Sequence, residues 1–212
     1  DKKDRVFQAH IGPVLVRGTT VPMKPKILVK QTGWRIPDGM KYSPQRMAPV
    51  QNLIGRNTMR NALIVEFVLQ SFKAGRTTVV MSTLVDGHLH YLFKALTTAG
   101  ITGDKIGFYI GQNTGDKQLA KINLDAAKAK PVVLATFGMT KEGTDVPEWD
   151  TLVLAMPTGD VQQAIGRVMR FKKDKKQPVV LDLVDGSRIF QNYYLGRLKQ
   201  YYSVGADVVQ MN

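Results

Sequence analysis

A parallel α/β sheet with helices packed on both faces is the fold that this sequence predicts. Three observations predict it. Five short apolar runs, at 77–82, 106–110, 132–136, 151–155 and 178–183, have the length and character of buried strands. Stretches of helical periodicity, about 11 to 18 residues long, fill most of the intervals between them. Cap and turn residues such as Asn57, Gly75 and Gly100 stand at the junctions.

The elements follow in order. Residues 1–50 hold Pro13, Pro22, Pro25, Pro37, Pro44 and Pro49, six of the ten prolines. That region reads as a linker with one or two edge strands, at 11–16 and 27–29. Asn57 caps a predicted helix to 74, with Leu63, Ile64, Phe67, Val68 and Phe72 on its buried face. Strand 77–82 precedes a helix over 86–99, and strand 106–110 a helix over 116–128. Leu119, Ile122 and Ala126 are spaced for one face of that second helix. Strands 132–136 and 151–155 come next. Asp160 is placed to cap a helix ending near Phe171, and strand 178–183 leads to a last helix over 187–202.

Size and composition bound the function. A chain of 212 residues, 43% hydrophobic, suffices for one substantial core. No apolar run approaches the roughly 20 residues that span a bilayer. The chain contains no cysteine, which excludes disulfides and thiolate metal sites. His10, His88 and His90 are too scattered to predict a zinc site. The chain does not begin with Met, which predicts a fragment of a longer protein or a trimmed form. The net charge of +13 favours a polyanionic partner, nucleic acid before membrane.

The most informative motif is 163–170, Q-x-x-G-R-x-x-R, carrying Gln163, Gly166, Arg167 and Arg170. Arginines three apart stack on one helix face, and each guanidinium is a planar fork matched to phosphate oxygens. The same residues also read as a solvated basic helix end leading into Lys172, Lys173, Lys175 and Lys176. A second motif, 135–147, opens with Thr136 at a strand end and carries Gly143 and Asp145. It suits phosphate and ribose contacts, or is an ordinary strand-to-helix loop. A third, 82–87, offers the hydroxyls of Ser82 and Thr83 before a helix, for phosphate binding or as a plain cap. In sheets of this kind ligands bind at the carboxyl ends of the strands, where the second and third motifs start.

In this order the motifs resemble motifs IV, V and VI of the superfamily 2 helicases. The series is a strand-end Ser/Thr loop, then A-T-x-x-x-x-x-E-G-T-D-V-P, then Q-x-x-G-R-x-x-R. The match is nearest to phage helicases that remodel branched DNA. Where many members have Gly before the last arginine, this chain has Met169.

The resemblance implies a RecA-like fold and the second of two motor lobes. Residues 1–50 would lead from an N-terminal ATPase lobe, and 51–212 would form the C-terminal RecA-like domain. It implies ATP in the cleft between lobes, with Mg2+ held by the N-terminal lobe. Arg167 and Arg170 would act as catalytic arginine fingers. Gly143, Asp145 and Gln163 would face the nucleotide or couple it to lobe position, and Ser82, Thr83 and Thr136 would hold the nucleic-acid backbone. The chain contains no G-x-x-x-x-G-K-[ST] loop, so it is not expected to hydrolyse ATP alone. The expected partners are single-stranded or branched DNA and the N-terminal lobe, in the cytoplasm of a bacterium or phage-infected host. Two rivals are a duplex translocase that does not unwind and a nonenzymatic basic module that binds nucleic acid.

Overall fold

The computed structural model describes residues 23–43, 45–111, 117–140 and 146–211. Seven parallel strands form one sheet: β1 (Lys26–Gln31), β2 (Thr78–Ser82), β3 (Ile106–Tyr109), β4 (Val132–Thr136), β5 (Thr151–Leu154), β6 (Val179–Val184) and β7 (Asp207–Met211). Their order across the sheet is β3-β4-β2-β5-β6-β1-β7. The helices are α1 (Ala48–Gly55), α2 (Thr58–Lys73), α3 (His90–Thr98), α4 (Lys117–Lys128), α5 (Gln162–Val168) and α6 (Arg188–Ser203).

The central strands are apolar on both faces because both faces are covered. Val79 and Met81 of β2, Val133 and Ala135 of β4, and Leu152 and Leu154 of β5 face one core with Ile165 of α5 and Tyr201 of α6. The alternate residues Val80, Leu134 and Val153 face the other core with Ile64 and Val68 of α2 and Leu92 and Leu96 of α3. A third cluster of Ile36, Val50, Ile54, Met156 and Phe190 closes a further region.

Asn57 caps α2 as the sequence predicts: its side chain accepts from the Arg60 amide at 2.8 Å. Gly75, at φ +64°, takes the left-handed turn that follows α2. Gly107 meets a different demand, since a Cβ there would collide with the Ala127 carbonyl of α4.

Six expectations are corrected. Strand β1 is not at an edge: it lies between β6 and β7, because Ile27 and Val29 are fully buried against the core. The predicted strand at 11–16 lies outside the described residues. Helix α1 was not expected in the proline-rich region, yet Pro49 suits its first turn and Val50 and Ile54, four apart, bury one face. Strand β7 was also unexpected; it extends the sheet on β1.

The helix predicted from 86 begins only at His90. Residues Val85–Leu89 form a wide turn in which Asp86 is extended and Gly87 has φ +77°. On α4 the buried side is Ala127 with partly buried Leu124, whereas Leu119, Ile122 and Ala126 point outward. Helix α5 stops at Val168, so Arg170 lies beyond its end, and its arginines do not stack along a continuous helix.

Candidate functional site

The carboxyl ends of the strands are organised by two adjacent polar residues in the first turn of α2. Arg60 is 1% exposed. Its Nε donates to Asp185 Oδ1 at 3.0 Å and Oδ2 at 3.3 Å, and its Nη1 donates to the Ala155 carbonyl. Thr32 Oγ1 donates to the same Asp185 at 2.5 Å. One guanidinium and one carboxylate thus join the chain just past β1, β5 and β6. Neither charge is exposed, so each satisfies the other where water does not.

Asn61 directs the second arm. Its Nδ2 donates to the Gly55 carbonyl at 2.8 Å, which leaves Oδ1 to accept from His88 Nε2 at 3.1 Å. That assigns the proton of the imidazole to Nε2, and Nδ1 accepts from Ser82 Oγ at 2.8 Å. Ser82 Oγ in turn accepts from the Leu84 amide at 3.1 Å. Burial, then the Arg60 charge, lowers the His88 pKa to about 3, so the ring is neutral.

The predicted site residues fall into this frame unequally. Ser82 is fully buried with its hydroxyl engaged, so it shapes the loop rather than meeting solvent. Thr83 beside it is exposed. Thr136 is half-buried at the end of β4, in register with Ser82. Thr83 and the exposed Gln163 line one cavity of about 140 Å³ with Phe137, Thr158, Asp160 and Val161. Arg170 is exposed, whereas Arg167 is 9% exposed and packs largely into the lobe. Gly143 and Asp145 lie outside the described residues.

The short helix α5 is tied at both ends by side chains that sequence reasoning missed. At its start, Gln200 of α6 accepts from the Val161 amide and donates to the Gly159 carbonyl, both at 3.0 Å. Asp160 Oδ1 accepts from the Gln162 amide at 3.2 Å, which fits its expected capping role, although the cap position itself is Val161. Arg197 of α6 donates to the Thr158 carbonyl and, through Nε and Nη2, to both oxygens of Asp182 at 2.9 and 2.8 Å. Tyr201 donates to Asp182 at 2.6 Å. At the far end, Lys175 Nζ donates to the carbonyls of Val168 at 2.7 Å and Arg170 at 2.9 Å. The lysine run therefore holds helix ends as well as facing solvent; Lys176 likewise donates to the Ala74 and Gly75 carbonyls past α2.

One signal for these ties was present. Asp182 and Asp185 interrupt an otherwise apolar run, and a buried carboxylate needs a cationic or hydroxyl partner.

No family model matches the chain. The chain is 24% identical over 191 residues to "Putative ATP-dependent RNA helicase L396" of Acanthamoeba polyphaga mimivirus; the match covers 85% of this chain and 35% of that protein. The chain therefore spans about a third of that relative's length. Its fold is that of T4 UvsW, with TM-score 0.59 and 20% identity over 88% of this chain and 41% of that one. It is also that of S. cerevisiae Dbp5 bound to RNA and ADP BeF3, with TM-score 0.56 and 12% identity over 99% of this chain and 49% of that one. The seven-stranded sheet is RecA-like, and the motif order, the topology and the relatives agree. The chain is thus similar in sequence to helicases over most of its length, and its fold is the RecA-like α/β fold of helicase C-terminal domains.

Proposed function

We propose that this lobe is the C-terminal half of an ATP-dependent nucleic-acid motor, acting on single-stranded or branched DNA in a bacterial or phage-infected cytoplasm. The observation that carries this is the gathering of Thr83, Thr136 and Gln163 toward the carboxyl end of one RecA-like sheet. Hydroxyls and amides at strand ends suit a sugar–phosphate backbone, which would make the grip largely independent of sequence.

In this reading Arg167 and Arg170 extend to the γ-phosphate of ATP across a cleft formed with an N-terminal lobe. Their forked donors fit phosphate oxygens and stabilise charge developing there. Arg167 is mostly packed into the lobe, so cleft closure is assigned the task of turning it outward. Gln163 couples the nucleotide to lobe position, and Gly143 and Asp145 face the ribose or the hinge. Thr83 and Thr136 hold the backbone, while Ser82, through His88, sets the loop that presents Thr83. Mg2+ is assigned to the N-terminal lobe, where it would neutralise phosphate charge, and this lobe alone is proposed not to hydrolyse ATP.

The test is ATP turnover by the full-length polypeptide with single-stranded and branched DNA. Arg170→Ala and Arg167→Lys are each expected to lower kcat by roughly 10³ or more. Full turnover in both variants would sink the finger assignment. An RNA substrate is the second reading, favoured by the name of the mimivirus relative. Turnover stimulated by RNA and not by DNA would select it.

A further inference from the structure

Helix α5 spans only Gln162–Val168, too short to fix its own exit direction. The turn that follows carries Arg170, and its carbonyls are held from outside the helix. Val168 and Arg170 accept from Lys175 Nζ at 2.7 and 2.9 Å, and Met169 accepts from the Met23 amide at 3.0 Å. Lys175 reaches back because 172–175 form a tight turn. Its own amide donates to the Lys172 carbonyl at 3.2 Å, and Asp174 takes the left-handed conformation at φ +62°. The ammonium is drawn inward: burial lowers its pKa to about 8 against the opposing pull of Asp150 and Glu148, with Lys172 adding to the lowering.

We propose that Lys175 is a positioning residue for the motor reaction. By clamping the carbonyls of Val168 and Arg170 it fixes the turn past α5, and with it the direction in which Arg170 leaves the lobe. The proposal rests on the reading of Arg170 as a group that meets the nucleotide. A fork displaced by about 1 Å forfeits on the order of 100-fold in rate, so a clamp on its backbone matters to catalysis more than to stability.

A double-mutant cycle on the full-length polypeptide tests this. Steady-state ATP turnover with nucleic acid is read for the parent, Lys175→Met, Arg170→Ala and the double variant, at enzyme concentrations high enough to follow residual rates. Lys175→Met keeps the stem and removes the donors. It is expected to lower kcat roughly tenfold, with KM for ATP changed less than about twofold. In the Arg170→Ala background the same change is expected to have no further effect, because the group it positions is gone.

Equal slowing in both backgrounds would overturn the proposal, since it would show a general structural role. So would parental turnover in Lys175→Met beside a collapsed Arg170→Ala; in that case the arginine reading survives alone. If Arg170→Ala turns over normally, the arginine reading fails and this proposal falls with it. Should Lys175→Met not fold, Lys175→Gln, which keeps an N–H donor of shorter reach, enters the same cycle with the same decisive outcomes.

Discussion

His88 shows at the residue scale how burial fixes a protonation state. Its ring has no exposure, donates to Asn61 and accepts from Ser82, an arrangement that only the neutral tautomer can make. The folded pKa, about 3, lies below the ordinary value near 6.5. Between those values the unfolded chain binds a proton that the folded chain refuses. Stability from this residue is therefore complete above pH 6.5 and declines as pH falls toward 3, by roughly 1 kcal/mol per pH unit. Urea midpoints of the chain at pH 7, 6 and 5 should reveal this decline, and His88→Gln should flatten it. Equal slopes in the two proteins would remove His88 as the cause. Gly55 matches this packing, because a Cβ there would stand 3.1 Å from His88 Cβ.

At the scale of elements, α6 governs α5. Arg197 and Gln200 fasten the loop before α5, and Arg197 is itself anchored by Asp182 inside β6. Removing the guanidinium strands a carboxylate with no exposure, which costs about 3–5 kcal/mol for a broken buried pair. Arg197→Met should therefore lower the thermal midpoint of the chain markedly. A loss of less than about 1 kcal/mol in denaturant titrations would contradict this account of the pair. Tyr201 strengthens the same anchor; burial and then the Asp182 charge push its pKa up, so it remains a donor. Helix α4 illustrates the limit of periodicity. Leu119, Ile122 and Ala126 share one face by spacing, but the shape of the sheet selects Leu124 and Ala127 instead.

The whole molecule combines a net charge of +13 with a candidate site, lined by Thr83 and Gln163, toward the carboxyl end of its sheet. Among the described residues no helix is long and apolar enough to cross a membrane. A grip made mainly to phosphates predicts that the isolated chain binds single-stranded DNA weakly. Fluorescence anisotropy between 50 and 200 mM salt should show affinity falling by on the order of tenfold or more. Tight binding that ignores salt would argue against a backbone grip and for direct contacts to bases.

Periodicity and local chemistry determined much of this protein in the sequence itself. The five strands from 77 to 183 stand close to where their apolar runs predict, because a strand buried on both faces has a continuous apolar signature. Asn57 announced its cap because capping is local. The order of the Ser82, Thr136 and Gln163 motifs was legible for the same reason: each sits within a few residues of a strand end or helix start. Only the tertiary structure decided the rest. Whether 26–31 lies at an edge or between two strands depends on residues 179–184 and 207–211, far along the chain. Whether Ser82 or Thr83 faces solvent depends on His88 and Asn61. Where α5 stops is set in part by Lys175 reaching back across a turn. These are choices among partners distant in sequence or folded back in space, and no local pattern encodes the distance between them.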